Sequence, residues 1–169
     1  MDKVSQMLLL LIQLGGDLYG LDVMDVIEVI PRIEARPVPQ APEYVVGLIS
    51  YRGTVVPLID LKLLMMKEPC VPWLSTRIIV TEYDTAEEGA GEGDTSGKSK
   101  MTLAILGERV TETVLVERSE LKSSGIELSE QSYLGQIAMR EKRIVQILRL
   151  AHILPPELKE MLSRAARSR

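Results

Sequence analysis

The 169-residue sequence predicts a mainly β fold: two similar five-stranded β-barrel subdomains sharing a core, with short helices and a C-terminal helix. Three observations carry that prediction. Strand-like apolar runs recur at roughly the 8–12-residue spacing of small barrels and sandwiches, separated by glycine, proline and charged turns. An internal repeat sets "GLISYRGTVVPLIDLKLLM" against "GQIAMREKRIVQILRLAHIL", superposing Gly47 on Gly135, Ile49 on Ile137 and Arg52 on Arg140. After one extra turn residue, Val55 and Val56 fall on Ile144 and Val145, Leu58 and Ile59 on Ile147 and Leu148, and Leu61 on Leu150. Two copies make a pair of small β units and not a solenoid. Finally, 46% of residues are apolar, with no Phe and a single Trp, so the interior is built from Leu, Ile, Val and Met. A chain of this length buries roughly two thirds of its unfolded surface and needs neither disulfide nor metal to fold.

The first element is the unbroken apolar run in residues 6–14, which predicts a fully buried strand. Gly15-Gly16-Asp17 turns the chain into a second strand from Leu18. Asp22 is placed to cap one helical turn, because Val23, Val26, Ile27 and Ile30 repeat at helical spacing; the window is short and β-branched, so a strand follows. Prolines 31, 37, 39 and 42 make "PRIEARPVPQAP" an extended connection without regular hydrogen bonding. Alternation across Leu48–Tyr51 and Thr54–Ile59, joined at Arg52-Gly53, predicts a hairpin, and Asp60 caps the short helix "LKLLM". Pro57 lacks a ladder donor, so its strand is expected at a sheet edge or with a bulge there.

Strands resume with "STRIIVTEY", "MTLAIL" and "RVTETVLV". Between the first two, "DTAEEGAGEGDTSGKSK" has alanine as its only apolar type and six acids from Glu82 to Asp94 without a base, the composition of a solvated hairpin loop across 85–100. Its "GDTSGKS" departs from a phosphate-binding loop: Glu92 takes the place of the first glycine, and a strand follows where a helix N-terminus is needed. Within one domain, the two subdomains are expected at roughly 15–67 and 74–150, with strands exchanged at the ends. The tail "PPELKEMLSRAARSR", residues 155–169, predicts an amphipathic helix with Leu158, Met161 and Leu162 on one face.

A net charge of −4 argues against nucleic acid as a partner. Cys70 is the only cysteine, which excludes an internal disulfide and a thiolate cluster and fits a reducing compartment. The run "MLLLLIQLGG" is too short to span a bilayer and lacks a cleavage site, so a cytoplasmic protein without direct membrane insertion is expected. His152, the only histidine, sits at an apolar helical position in "LAHIL", as a structural residue and not a general base. Asp22, Asp25 and Glu28 lie three apart, the pattern of a solvated acidic stripe. No nucleophile elbow, zinc spacing or glycine-rich dinucleotide turn occurs, so no catalytic residue, metal or cofactor is expected.

"LYGLDVMDVIEVI", the proline-rich connection ending "AP", and "YVVGLISYRGTVVPLIDL" together resemble the CheW-like chemotaxis coupling proteins, over a span from about Leu8 to Leu154. The resemblance implies two five-stranded barrels packed around a shared apolar core. It implies a non-enzymatic scaffold between the cytoplasmic tips of chemoreceptors, the methyl-accepting chemotaxis proteins, and the regulatory domain of a CheA-type histidine kinase. It further implies that the receptor and kinase interface includes Val26, Glu28 and Val29 of "VIEV" together with Gly47, Arg52 and Gly53 around "YRG". A guanidinium at the hairpin turn beside the carboxylate of Glu28 is expected to make a bidentate pair holding both segments in register. The plainer alternative leaves Arg52 an ordinary exposed turn residue.

The second half departs from the family pattern. Gly107-Glu108-Arg109-Val110 stands where relatives carry "VD" before a valine, and Arg149 stands in the second repeat where Asp60 stands in the first. With the acidic loop, these departures suggest a paralogue serving an alternative, non-flagellar pathway. The length leaves no room for receiver, phosphotransfer or ATP-binding domains, so a stand-alone coupler is expected. Two rival readings are a small-molecule-binding module using the groove between the halves, and an enzyme using the acids of the first half.

Overall fold

The computed structural model describes residues 5–84, 100–123, 125 and 133–167; the acidic segment expected as a loop lies, apart from Lys100, outside the described residues. In chain order the strands are β1 (Gln6–Leu14), β2 (Asp17–Asp22), β3 (Val26–Ile30), β4 (Val45–Tyr51), β5 (Thr54–Asp60), β6 (Arg77–Asp84), β7 (Lys100–Gly107), β8 (Glu112–Glu117), β9 (Leu134–Arg140) and β10 (Arg143–Leu148). Helix α1 (Leu61–Met66) follows β5, α2 (Pro156–Arg167) closes the chain, and short 3-10 turns span Val23–Asp25, Arg118–Glu120 and Leu150–His152.

Two five-stranded sheets result, in the orders β3-β6-β7-β5-β4 and β8-β1-β2-β10-β9. Sheet membership crosses the sequential halves, because the N-terminal β1-β2 hairpin joins the C-terminal strands. In each sheet the chain that leaves one edge strand is pinned to the opposite edge. Arg36, after β3, exchanges both backbone hydrogen bonds with Leu48 of β4 (2.8 and 2.8 Å), and Lys122, after β8, does so with Ile137 of β9 (3.0 and 2.8 Å). Each sheet is thereby drawn toward a barrel, and part of its exposed edge is satisfied.

The period-2 alternation of strand side chains builds three apolar clusters. Leu9 and Leu11 point into the second subdomain with Val116, Ala138 and Val145. Ile78, Val80, Ala104 and Leu106 point into the first with Ile49 and Val56. The alternate residues, Leu10, Ile12 and Leu14 from one sheet and Ile79, Leu103 and Ile105 from the other, meet in a core shared between the subdomains. Strands buried on both faces read as continuous apolar runs, which is why "MLLLLI" looked uniform. Burial of β1 begins only at Leu9, however; Gln6 and Leu8 are exposed. Leu158 and Leu162 of α2 pack into the shared core, so the C-terminal helix is part of the body.

Pro57 corrects one expectation, since β5 lies between β7 and β4 and is not an edge. Leu48, its partner on β4, directs its N–H and C=O away toward Arg36. The proline nitrogen therefore faces β7, one residue before the parallel ladder begins at Leu58 and Ala104. The bulge falls across the hairpin instead, where Val45 pairs with Ile59 but Gly47 with Leu58. The second repeat also has an irregularity, beside Gly135 on β9, between the Gln146–Ile137 and Leu148–Leu134 pairs.

Candidate functional site

Asp22 accepts the backbone N–H of Met24 (2.9 Å), which starts the 3-10 turn and delivers the chain into β3. Val26 then pairs with Thr81, but Glu28 pairs with Val80, so Ile27 is the extra residue of a β-bulge. That bulge decides where Glu28 points. Without it, Glu28 would share the face of Val26, which packs against the shared core; with it, Glu28 shares the face of Val80, inside the first subdomain. The carboxylate consequently lies at the mouth of the first barrel.

The β4-β5 hairpin brings its partners. Arg52 (φ +47°) and Gly53 (φ +78°) both take the left-handed conformation that a two-residue type I′ turn demands. Tyr51 donates its hydroxyl to Glu28 Oε2 at 2.5 Å, and Arg52 Nη2 donates to the same oxygen at 3.0 Å. The guanidinium carbon stands 5.2 Å from the Tyr51 ring centroid. The expected bidentate pair is thus corrected: Arg52 gives one bond, and the second comes from a tyrosine that sequence reasoning did not single out. Hydrogen bonding to Glu28 pushes the Tyr51 phenol above its usual range, helped by desolvation, while the charge of Arg52 pulls the other way.

Because β3 and β4 are the two edges of one sheet, the cluster also clamps that sheet shut. Gly53 supplies the turn conformation, and a Cβ there would meet open space. Val29, paired with Ile79 of the shared core, is exposed on the opposite face of β3 from Glu28, and Met24, Ile27 and Ile33 of the same segment are exposed as well. Val26 and Gly47 lie apart from the cluster. Val26 is half-buried, and Gly47 (φ +149°) is a close-approach position where a Cβ would stand 2.2 Å from the Arg36 carbonyl oxygen.

The second subdomain carries an unforeseen counterpart: Arg140 Nη2 lies 3.3 Å from Glu112 Oε2, joining the edges β9 and β8. The repeat matched Arg140 with Arg52 across an extra turn residue, but both turns have two residues, so Arg140, paired with Arg143, takes the strand-end place of Tyr51, paired with Thr54; finding Glu112 required the strand order. Glu108 is buried, accepts the N–H of Val71 at 2.6 Å, and pairs with Lys62 at 3.2 Å. This departure from the family pattern therefore anchors the connection from α1 to β6. Hydrogen bonding to Glu108 raises the Lys62 ammonium pKa although burial opposes it. Cys70 is half-buried, and desolvation pushes its thiol far up. His152 Nε2 lies 2.9 Å from Arg149 Nη2; because a guanidinium only donates, the imidazole accepts there.

Among the described residues, no group of three or more His, Cys, Asp or Glu is placed to hold a metal. No helix there is long and apolar enough to cross a membrane. The space between the subdomains is filled by packed Leu and Ile side chains, which leaves the small-molecule reading without support.

Fold and site together define a two-subdomain β protein with a polar cluster at one barrel rim and exposed apolar residues on the adjoining strand β3. The chain belongs to the CheW-like domain family, whose model matches residues 8–157. It is 25% identical over 142 residues to the chemotaxis protein CheW of Helicobacter pylori, covering 83% of this chain and 77% of that one. Against CheW of Rhizobium meliloti it is 24% identical over 154 residues, 90% of each chain. A shorter match, 42% over 57 residues and 34% of each chain, links it to CheW of Treponema pallidum. The fold is similar to the crystal structure of the scaffolding protein TtCheW from Thermoanaerobacter tengcongensis, with a TM-score of 0.74, 23% identity and 92% of each chain covered.

Proposed function

We propose that the protein is a non-enzymatic adaptor that couples chemoreceptors to a CheA-type histidine kinase in a chemosensory array. It acts in the cytoplasm, on receptors that are themselves membrane-anchored. Membership of the CheW-like family supports this reading, and the observation that carries it to particular residues is the Glu28–Tyr51–Arg52 cluster. Exposed apolar side chains along the β3 segment supply contact area, and the oriented charge pair supplies register and selectivity. Glu28, Val29 and Arg52 form the contact surface and Gly53 shapes it, while Val26 and Gly47 hold β3 and β4 behind it. The partners are the receptor's cytoplasmic tip and the kinase's regulatory domain. Titration calorimetry with each, followed by size-exclusion chromatography of the mixture, tests the proposal. A ternary complex is expected; binding to neither component would overturn it.

A further inference from the structure

Tyr51 is the least expected member of the rim cluster, and its chemistry is specific. A solvent-facing arginine–carboxylate pair alone is worth little, because two long side chains must be held in one geometry against solvent and salt. Here Arg52 is 71% exposed, yet its guanidinium has the Tyr51 ring beside it and its carboxylate partner is already held by the Tyr51 hydroxyl. A hydroxyl-to-carboxylate bond is charge-assisted and among the stronger polar contacts, and a flat aromatic face orients a guanidinium. Both donors converge on Oε2 of Glu28; among the described residues Oε1 has no partner.

We infer that Tyr51 is a positioning residue, which fixes Glu28 and Arg52 as a preset two-pronged docking element. Glu28 Oε1 is the acceptor prong and the outward N–H groups of Arg52 are the donor prong. The matching partner surface carries a donor, such as a guanidinium or amide, next to a carboxylate. Presetting matters because ordering a long side chain at the moment of binding subtracts from affinity. This inference rests on the docking reading above and deepens it.

The test keeps the ring and removes the hydroxyl: Tyr51→Phe, alone and combined with Arg52→Ala, measured against a CheA-type regulatory domain and a receptor-tip peptide. Tyr51→Phe should weaken the binding that Arg52→Ala weakens, by about three- to tenfold, without moving the unfolding midpoint. In the Arg52→Ala background its effect should be smaller, because only the Glu28 prong is left for the hydroxyl to hold. A partner-free readout accompanies it. In ¹³C-tyrosine NMR, the resonance lost in Tyr51→Phe should ionise at lower pH in Glu28→Gln and at higher pH in Arg52→Ala.

Wild-type binding by Tyr51→Phe, an undiminished effect in the Arg52→Ala background, or a phenol indifferent to Glu28→Gln overturns the inference while leaving the docking reading standing. An unfolding loss that accounts for the binding loss assigns the hydroxyl to barrel closure and also overturns it. If Glu28→Ala and Arg52→Ala both bind as wild type, the docking reading itself fails and takes the inference with it.

Discussion

Both barrels are closed by one device, a backbone bridge plus a Glu–Arg pair between edge strands, yet the two pairs are built differently. In the first subdomain Arg52 is 71% exposed, backed by Tyr51 and followed by Gly53; in the second Arg140 is 26% exposed, preceded by Met139 and followed by Glu141 and Lys142. Closing a small barrel needs only an edge-to-edge tie, and the sheltered Arg140 provides one. The first pair has two features that closure does not require, an outward guanidinium and a tyrosine holding the carboxylate, whereas exposed apolar side chains flank both pairs, Ile27 and Val29 in the first and Met139 and Ile144 in the second. The difference separates what the fold needs from what a partner can use.

Matched glycines give the largest expected effect. Gly47→Ala would set a Cβ against the Arg36 backbone at a positive φ and break the bridge to Leu48, at a cost of roughly 3 kcal/mol or more in denaturant unfolding. Gly135→Ala meets mainly the flexible Arg149 side chain and should cost about 1 kcal/mol. Equal losses would break the comparison. Next is Asp60, which accepts Leu63 N and Cys70 N, both at 2.9 Å, and starts α1, whereas the matched Arg149 makes no side-chain cap and is followed by a 3-10 turn. Asp60→Ala should cost about 2 kcal/mol and lower the helical circular dichroism signal.

A smaller effect lies at the turns. Glu141 (φ +46°) and Lys142 (φ +64°) take left-handed conformations without a glycine. Lys142→Gly should raise stability by about 1 kcal/mol, and Gly53→Lys should lower it by a similar amount. The smallest effect appears in the alkaline limb of the stability curve. The Lys62 pKa is raised above its usual 10.5, so this contribution is full below that value and disappears as pH rises through the folded-state pKa. Glu108→Gln should therefore flatten the alkaline decline measured by urea titration at stepped pH.

Local chemistry was readable from the sequence wherever one segment sufficed. Asp22 and Asp60 cap as their positions foretold, Arg52-Gly53 turns the hairpin, and the repeat pairs Gly47 with Gly135. What escaped needed contacts between distant segments. The bulge at Ile27 leaves no mark in a β-branched run, yet it alone moves Glu28 from the shared core to the barrel mouth. Tyr51 read as an ordinary strand residue because its partner lies on the opposite sheet edge. Glu108 read as a departure because Val71 and Lys62 meet it only once β7 lies against α1 and the segment after it. Pro57 was misplaced for the same reason: its tolerance depends on where the parallel ladder with β7 begins.

The most direct test of a docking role for the first rim measures binding and unfolding side by side for Arg52→Ala and Arg140→Ala, using a CheA-type regulatory domain and a receptor-tip peptide. Arg52→Ala should weaken binding to at least one of them by about tenfold or more, while unfolding free energy changes by less than about 1 kcal/mol. Arg140→Ala should leave binding largely intact and act through stability. Unchanged binding in Arg52→Ala, or binding losses that track unfolding equally in both variants, would contradict the account and reduce the first rim to a second copy of the same clamp.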